Sequence, residues 1–255
     1  MGLDIYVGPL TRLYSGQWET IVEQQGRAQG ITVEIVRQNP VDFPPPEEVR
    51  AQVIEWRRRL EVVFGDLFDR PLDWPESPTE PYVTDKPDWD GYGAVQLLAA
   101  HDEHPDIDLP PTMPRNFANH ALYRKATERD EPVAMGLGGA LRRVFRRVEP
   151  DAPRRPFGHL YGPELWLPAG FDEPFDAEEV TGNSVRIGSV PRLRAALEHL
   201  NERTHAADDA TLAEWRAGTP DPDGPFEPMA RFGLSVWLDL AREADARRMP
   251  MRLDY

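Results

Sequence analysis

The alternation of apolar and polar residues predicts a short strand at each end of the chain. Leu3, Ile5 and Val7 alternate with polar neighbours, which is the period of a strand that buries one face. The last residues repeat the pattern, with Met251 and Leu253 as the apolar positions. The two ends are therefore predicted to be strands.

The same reading predicts strands and helices along the chain between these ends. Residues 31–36 are β-branched and alternating, and a helix predicted at 17–29 precedes them, so the first 36 residues are expected to form a right-handed βαβ unit. Further strands are predicted at 165–167 and 184–189.

The clearest helical pattern follows the three prolines at 44–46. Its apolar residues recur at steps of three and four, which makes one continuous stripe. The stripe consists of Val49, Val53, Trp56, Leu60, Val63 and Leu67. Other helices are predicted at 91–100, 116–127, 135–148, 191–202, 212–215 and 229–247.

These elements predict a mixed α/β fold in which helices dominate. The strands are too few for separate sheets, so we expect a small central sheet flanked by helices in a single globular domain over residues 1–255. The chain has 27 prolines, and the connector at 66–87 is rich in them. Long, Pro-rich loops are therefore part of the prediction.

Composition narrows the classes of function. The net charge of −15 repels nucleic-acid phosphates, so we expect no nucleic-acid partner and instead a basic protein partner, or a charge that only maintains solubility. There is no cysteine, which excludes thiolate chemistry and fits the cytoplasm. We expect no signal peptide, no membrane span and no cofactor, while the oligomeric state is left open.

One stretch, from Asp85 to Gly93, concentrates charged residues, aromatics and glycines just before an apolar run. In a functional interpretation Asp85, Asp88 and Asp90 act as acid–base groups or cation ligands. Lys86, Trp89 and Tyr92 then bind a ligand. In the alternative, favoured interpretation the acids cap a helix and the aromatics pack the loop against the core.

Two histidines follow this stretch. His101 and His104 share one face if the helix continues to them, so they are candidate metal ligands, and His101 is also a candidate catalytic residue. A third metal ligand is not apparent in the sequence. Because His101 extends the apolar stripe of its helix, a packed histidine is the favoured interpretation.

Polar residues of the terminal strands form another candidate site. Asp4 and Tyr6 lie opposite the apolar face of the first strand, as Arg252 and Asp254 do in the last. If the strands share one sheet, these side chains meet beneath a pocket. The favoured alternative is that they face water on an edge strand.

Three segments resemble a family of bacterial cytosolic proteins to which no activity is assigned. They are Met1–Tyr6, Thr84–Gly93 and Pro250–Tyr255. The resemblance implies a bacterial, cytoplasmic protein and assigns a role to no residue. By analogy with immunity proteins, we predict a non-catalytic binding protein that acts on a protein partner. The alternative is a small-molecule enzyme, such as a metal-assisted hydrolase, with its site around Asp85–His104.

Overall fold

The structure, a computed structural model, describes residues 2–31, 33, 43–128 and 155–255. Within these ranges the chain forms eight α-helices and a six-stranded mixed sheet, which confirms the predicted helix-dominated α/β fold. The strands are β1 (Asp4–Val7), β2 (Val83–Asp85), β3 (Leu165–Leu167), β4 (Phe175–Glu178), β5 (Ser184–Ser189) and β6 (Met251–Asp254). The helices are α1 (Leu10–Tyr14), α2 (Ile21–Ala28), α3 (Pro46–Phe64), α4 (Asp88–Glu103), α5 (Ala121–Thr127), α6 (Val190–Thr204), α7 (Asp209–Ala217) and α8 (Phe226–Arg247).

The two terminal strands lie side by side inside the sheet. The strand order is β2-β1-β6-β3-β5-β4, and every neighbouring pair is antiparallel except β3 and β5. Asp4 pairs with Asp254, and Tyr6 pairs with Arg252. The expectation that these polar residues lie on an edge strand is therefore wrong, because β2 flanks β1 and β3 flanks β6.

Helices α4 and α8 build the core on one face of the sheet. Trp166 of β3 packs against Trp237 of α8, with ring centroids 5.4 Å apart. The two helices approach closely where Gly91 meets Gly233, because a Cβ on Gly233 would lie 2.2 Å from the Gly91 carbonyl oxygen. This contact fixes where α4 crosses α8.

The opposite face is covered by α1, α3 and the Pro-rich connector. The Trp56 indole N–H of α3 donates to the Glu178 carbonyl at 2.7 Å, which ties the helix to the edge strand β4. The buried Glu76 of the connector accepts from the Leu10 and Thr11 backbone N–H groups at 3.1 and 2.8 Å. A carboxylate therefore holds the start of α1 against the connector.

Some elements differ from the sequence prediction. The helix expected at 17–29 begins at Ile21, because Thr20 and Glu23 form a capping box there. Strands β2 and β4 were not predicted. Most of the strand predicted at 31–36 and all of the helix predicted at 135–148 lie outside the described residues. None of the described helices has the length and apolar character that a membrane crossing requires.

Candidate functional site

A cavity of about 410 Å³ lies over the strand pair β1–β6. It opens between α1, the start of α3 and the loop that joins β4 to β5. Its walls are mostly apolar, and its polar groups come from the strand floor, the loop and the two helices. The apolar residues are Leu13, Trp18, Phe43, Pro44, Val49, Val180 and Leu253, and the polar ones are Tyr14, Gln52, Thr181, Arg252 and Asp254.

Tyr6 supports the aromatic wall of the cavity. Tyr6 is fully buried, and its hydroxyl donates to the Pro9 carbonyl at 2.9 Å. Its ring packs edge-on against Trp18 and stacks on Tyr82, with ring centroids 5.2 and 5.6 Å apart. Tyr6 was predicted as a binding residue, and the structure places it behind the cavity wall, where it positions Trp18.

A buried carboxylate organises the polar floor. Glu179 is only 5% exposed, and its Oε2 accepts a hydrogen bond from the Tyr14 hydroxyl at 2.7 Å. Its Oε1 accepts from the Thr181 hydroxyl at 3.0 Å, and the Arg252 Nε lies 3.4 Å from Oε2. Burial, together with the charge of Glu179, raises the pKa of Tyr14, so the phenol stays protonated and keeps donating.

The positive charge of Arg252 is balanced by neighbouring carboxylates. Besides Glu179, its guanidinium faces the Glu164 carboxylate at 3.6 Å and donates to the Leu253 carbonyl at 2.8 Å. Two carboxylates therefore balance one buried cation. The floor has little positive charge left to attract an anion.

Asp254, which lines the cavity, is the cross-strand partner of Asp4, which does not line it. Directly opposite residues of antiparallel strands lie on the same face of the sheet. Burial, and then the neighbouring charges of Asp254, Asp88 and Glu23, raise the pKa of Asp4 to about 6 against the lowering effect of Lys86. The Asp4 Oδ1 is buried and accepts no hydrogen bond within the described part of the chain.

A shallower groove continues from the cavity along α3. It has a volume of about 390 Å³ and is lined by Ala51, Gln52, Glu55, Arg59 and Val180. Gln52 and Val180 also line the deeper cavity, so the two spaces adjoin. A ligand anchored in the cavity has room to extend along the helix.

The carboxylates predicted around Asp85 and Asp90 are placed apart. Asp85, on β2, accepts from the Arg216 Nε and from the Lys86 backbone N–H, both at 2.7 Å. Asp90 lies in the first turn of α4, where burial and the charges of Asp88 and Asp223 raise its pKa. Neither residue lines the cavity or the groove.

The two candidate metal ligands lie at the end of α4. The His101 Nδ1 is 2.9 Å from the Ile107 carbonyl oxygen, which fixes the ring against the following loop. His104 is the C-terminal cap of the helix. In the ranges that the structure describes, no three His, Asp or Glu side chains are grouped to hold a metal ion. The catalytic and metal-binding roles of this stretch stay predictions.

The other binding candidates of the stretch lie where α4 begins. Lys86 pairs with Asp88 at 3.4 Å and contributes its charge to Asp4. Trp89 is 37% exposed and packs edge-on against Tyr92, whose buried ring stacks on α8. The structure therefore brings Lys86 close to Asp4, whereas Trp89 and Tyr92 pack at the end of the helix.

Sequence reasoning missed Glu179 and Tyr14, which lie 165 residues apart and meet on the floor. Glu179 stands at the loop after a strand that was not predicted, so its alternation gave no signal. The one available signal was the pair of polar positions on each terminal strand, which identified Asp4, Arg252 and Asp254. Comparison of the chain with protein-family models, curated proteins and solved structures finds no match.

Proposed function

We propose that this protein is a non-catalytic binding protein for a basic segment of a protein partner, and that the cavity over β1–β6 is its recognition site. The observation that carries the proposal is the cavity itself. Its volume of about 410 Å³ is typical of ligand pockets, and apolar walls around a few fixed polar groups are their usual construction.

The organisation of the floor supports binding rather than proton transfer. Both oxygens of Glu179 accept hydrogen bonds from neighbouring hydroxyl groups, and the same carboxylate faces Arg252. A general base needs a carboxylate that can reach the proton of a substrate. The network instead provides a rigid, preorganised surface, which lowers the entropic cost of binding.

The charge of the protein supports a basic partner. The net charge of −15 attracts cations over a distance and speeds their association at low salt. Around Asp4 the neighbouring charges are Asp254, Asp88 and Glu23, with Lys86 as the opposing cation. The surroundings of Asp4, the strand partner of the cavity residue Asp254, are therefore acidic, as the protein as a whole is.

A blocking variant tests the proposal. The immobilised protein captures partners from the extract of its host, each is identified by mass spectrometry, and binding is repeated with the purified partner. Gln52→Trp fills the mouth shared by the cavity and the groove, and Val62→Trp adds the same side chain at an exposed position of α3 that lines neither space. We expect Gln52→Trp to weaken binding at least about tenfold and Val62→Trp to have no effect.

The salt dependence is the second readout of the same experiment. The affinity of the purified partner is expected to fall as sodium chloride rises from 50 to about 500 mM, because exposed charges are screened over a shorter distance. A partner that binds both variants equally, or one that is indifferent to salt, contradicts the proposal.

A further inference from the structure

The hydroxyl groups on the floor of the cavity each donate and accept a hydrogen bond within the protein. Tyr14 donates to Glu179 at 2.7 Å and accepts from Arg252. Thr181 donates to Glu179 and accepts from the Asn183 side-chain amide, both at 3.0 Å. A ligand that covers these hydroxyl groups therefore leaves neither of them without a partner, and it needs no polar group of its own at this depth.

The charges of the floor disfavour a charged ligand. Arg252 is balanced by Glu164 and Glu179, so an anion finds no unbalanced cation there. Asp254 also has an interaction within the protein, so a cation finds no unpartnered carboxylate. A charged group that enters the cavity loses its hydration without gaining a partner, and this cost favours an uncharged group.

A series of three packed aromatic rings ends at the wall of the cavity. Tyr82 stacks on Tyr6, and Tyr6 packs edge-on against Trp18, with ring centroids 5.6 and 5.2 Å apart. Trp18 is the last ring of the series and lines the cavity. Because its neighbours already hold the indole, a ligand ring that packs against it does not have to order the wall. Paired aromatic rings also attract one another more than their contact area alone explains.

From these observations we infer that the cavity binds an uncharged aromatic side chain of the partner, which packs against Trp18 as the next ring of the series. The inference rests on the proposed function and specifies which residue of the segment enters the cavity. The basic residues of the segment stay outside, where the net charge of −15 attracts them through the solvent. The partner is therefore recognised by an aromatic anchor that has basic neighbours in its sequence.

Two probes that differ only in their ring test the inference directly. Nα-acetyl-phenylalanine methylamide carries an aromatic ring, and its cyclohexylalanine analogue carries a saturated ring of similar size. We expect the phenylalanine probe to bind at least about threefold more tightly, as measured by NMR titration, although the saturated ring is the more hydrophobic one. Equal or tighter binding of the cyclohexylalanine probe, or no binding of the phenylalanine probe at about 10 mM, overturns the inference.

Charged versions of the probe test the role of the balanced floor. A 4-carboxylate or a 4-aminomethyl group on the ring adds an anion or a cation, and a neutral 4-isopropyl group is the reference for their size. We expect each charged probe to bind at least about tenfold more weakly than the reference. A charged probe that binds as tightly as the reference contradicts the inference.

Glu179→Gln tests where this rejection of charge comes from. The variant leaves Arg252 with one balancing carboxylate, that of Glu164. It should therefore reduce the loss of affinity for the 4-carboxylate probe and leave the loss for the 4-aminomethyl probe at least as large. Each loss is a ratio of two probes in the same variant, so a change in stability does not affect it. If both ratios equal those of the parent, the balanced floor does not reject charge.

Trp18→Leu tests the assigned contact, because it keeps the wall apolar and removes the ring. We expect the preference for the phenylalanine probe over the cyclohexylalanine probe to be lost. Trp215→Leu is the matched control, since Trp215 is also partly buried but lines neither the cavity nor the groove, and it should keep the preference. Thermal unfolding shows whether each variant folds. A preference that survives Trp18→Leu contradicts the assigned contact, and the probe pair on the parent protein decides the inference if this variant does not fold.

The outcomes also separate the inference from the proposed function. If Gln52→Trp blocks the partner but the phenylalanine probe binds no better than the cyclohexylalanine probe, the cavity stays the recognition site and the aromatic assignment is wrong. If Gln52→Trp blocks the phenylalanine probe while the partner binds this variant normally, the inference is supported and the proposed role of the cavity in partner binding is wrong.

Discussion

The stretch Asp85–His104 and the strand pair β1–β6 contain similar residues and use them in opposite ways. In the stretch, Asp85 and His101 have partners that stabilise the fold. Asp85 is bound by Arg216, and the His101 ring is held at the Ile107 carbonyl. The charges and aromatics that crowd together in the sequence are accounted for by contacts that begin, pack and end a helix.

In the strand pair, one polar group, the Asp4 carboxylate, destabilises the folded state. Asp4 lies beside Asp254 with one buried oxygen unpaired among the described residues, and burial raises its pKa to about 6. Asp4 does not line the cavity, but it pairs across the strands with Asp254, which does, and a destabilising carboxylate in that position points to a site more than a cluster of paired polar residues does.

The largest effect is expected at the crossing of α4 and α8. In Gly233→Ala the added Cβ would lie 2.2 Å from the Gly91 carbonyl oxygen, so the helices must separate. We expect the free energy of unfolding, measured in urea, to fall by about 3 kcal/mol. Gly65→Ala is the control, since no atom lies within 4 Å of its added Cβ. An unchanged stability of Gly233→Ala would mean that the glycines are not required for this packing.

A smaller loss is expected when the stretch loses its partly buried ion pair. Asp85→Ala removes the acceptor of the Arg216 and Lys86 hydrogen bonds and should lower the free energy of unfolding by about 2 kcal/mol. In the control, Asp176→Ala breaks a more exposed pair with Arg186 and should cost less than about 0.5 kcal/mol.

The affinity of Asp85→Ala for the partner completes this test. Because Asp85 lines neither the cavity nor the groove, we expect its loss to leave binding unchanged in the folded fraction. If Asp85→Ala folds stably and fails to bind the partner, the stretch Asp85–His104 is the better candidate for the functional site.

The fold was predictable where local pattern decides it. Helix α3 begins at the prolines and buries Val49, Val53, Trp56 and Leu60, as its stripe predicts. The terminal strands were predicted for the same reason. The stripe ends earlier than expected, since Val63 is 53% exposed.

The site was less predictable because distant segments build it. The floor requires the register between the first and last strands, and Glu179 comes from a loop after β4. Alternation shows which residues share a face of a strand, but it does not show which strands are neighbours. For that reason Asp4 and Asp254 were identified as candidates, whereas their placement inside the sheet was not.

Asp4→Asn should raise the free energy of unfolding by about 1 kcal/mol at pH 7.5, a value reduced for the partial exposure of the side chain. The folded pKa of about 6 lies above the unfolded value of 3.8, so the folded state binds more protons between these values. The stability of the parent therefore increases as the pH falls from 6 towards 4. The advantage of the variant is largest above pH 6 and disappears below about pH 4.

This pH dependence is measured as a difference between the parent and Asp4→Asn. His159 titrates in the same window with the opposite sign, because burial lowers its pKa to about 4, and the difference cancels its contribution. If Asp4→Asn is less stable than the parent at pH 7.5, the Asp4 carboxylate does not destabilise the folded state.

The smallest change in stability is expected for Asp90→Asn. This variant tests whether a carboxylate with a raised pKa in the stretch Asp85–His104 also marks a site. Burial and the charges of Asp88 and Asp223 raise the pKa of Asp90, whereas its position in the first turn of α4 favours a negative charge. These opposing contributions should leave the free energy of unfolding within about 0.5 kcal/mol of the parent. Because Asp90 lines neither space, partner binding should be unchanged as well. If Asp90→Asn loses binding or an activity while its stability is unchanged, the raised pKa of Asp90 marks a functional site in the stretch as well. Hydrogen-bond pairing and burial would then not distinguish a structural region from a functional one.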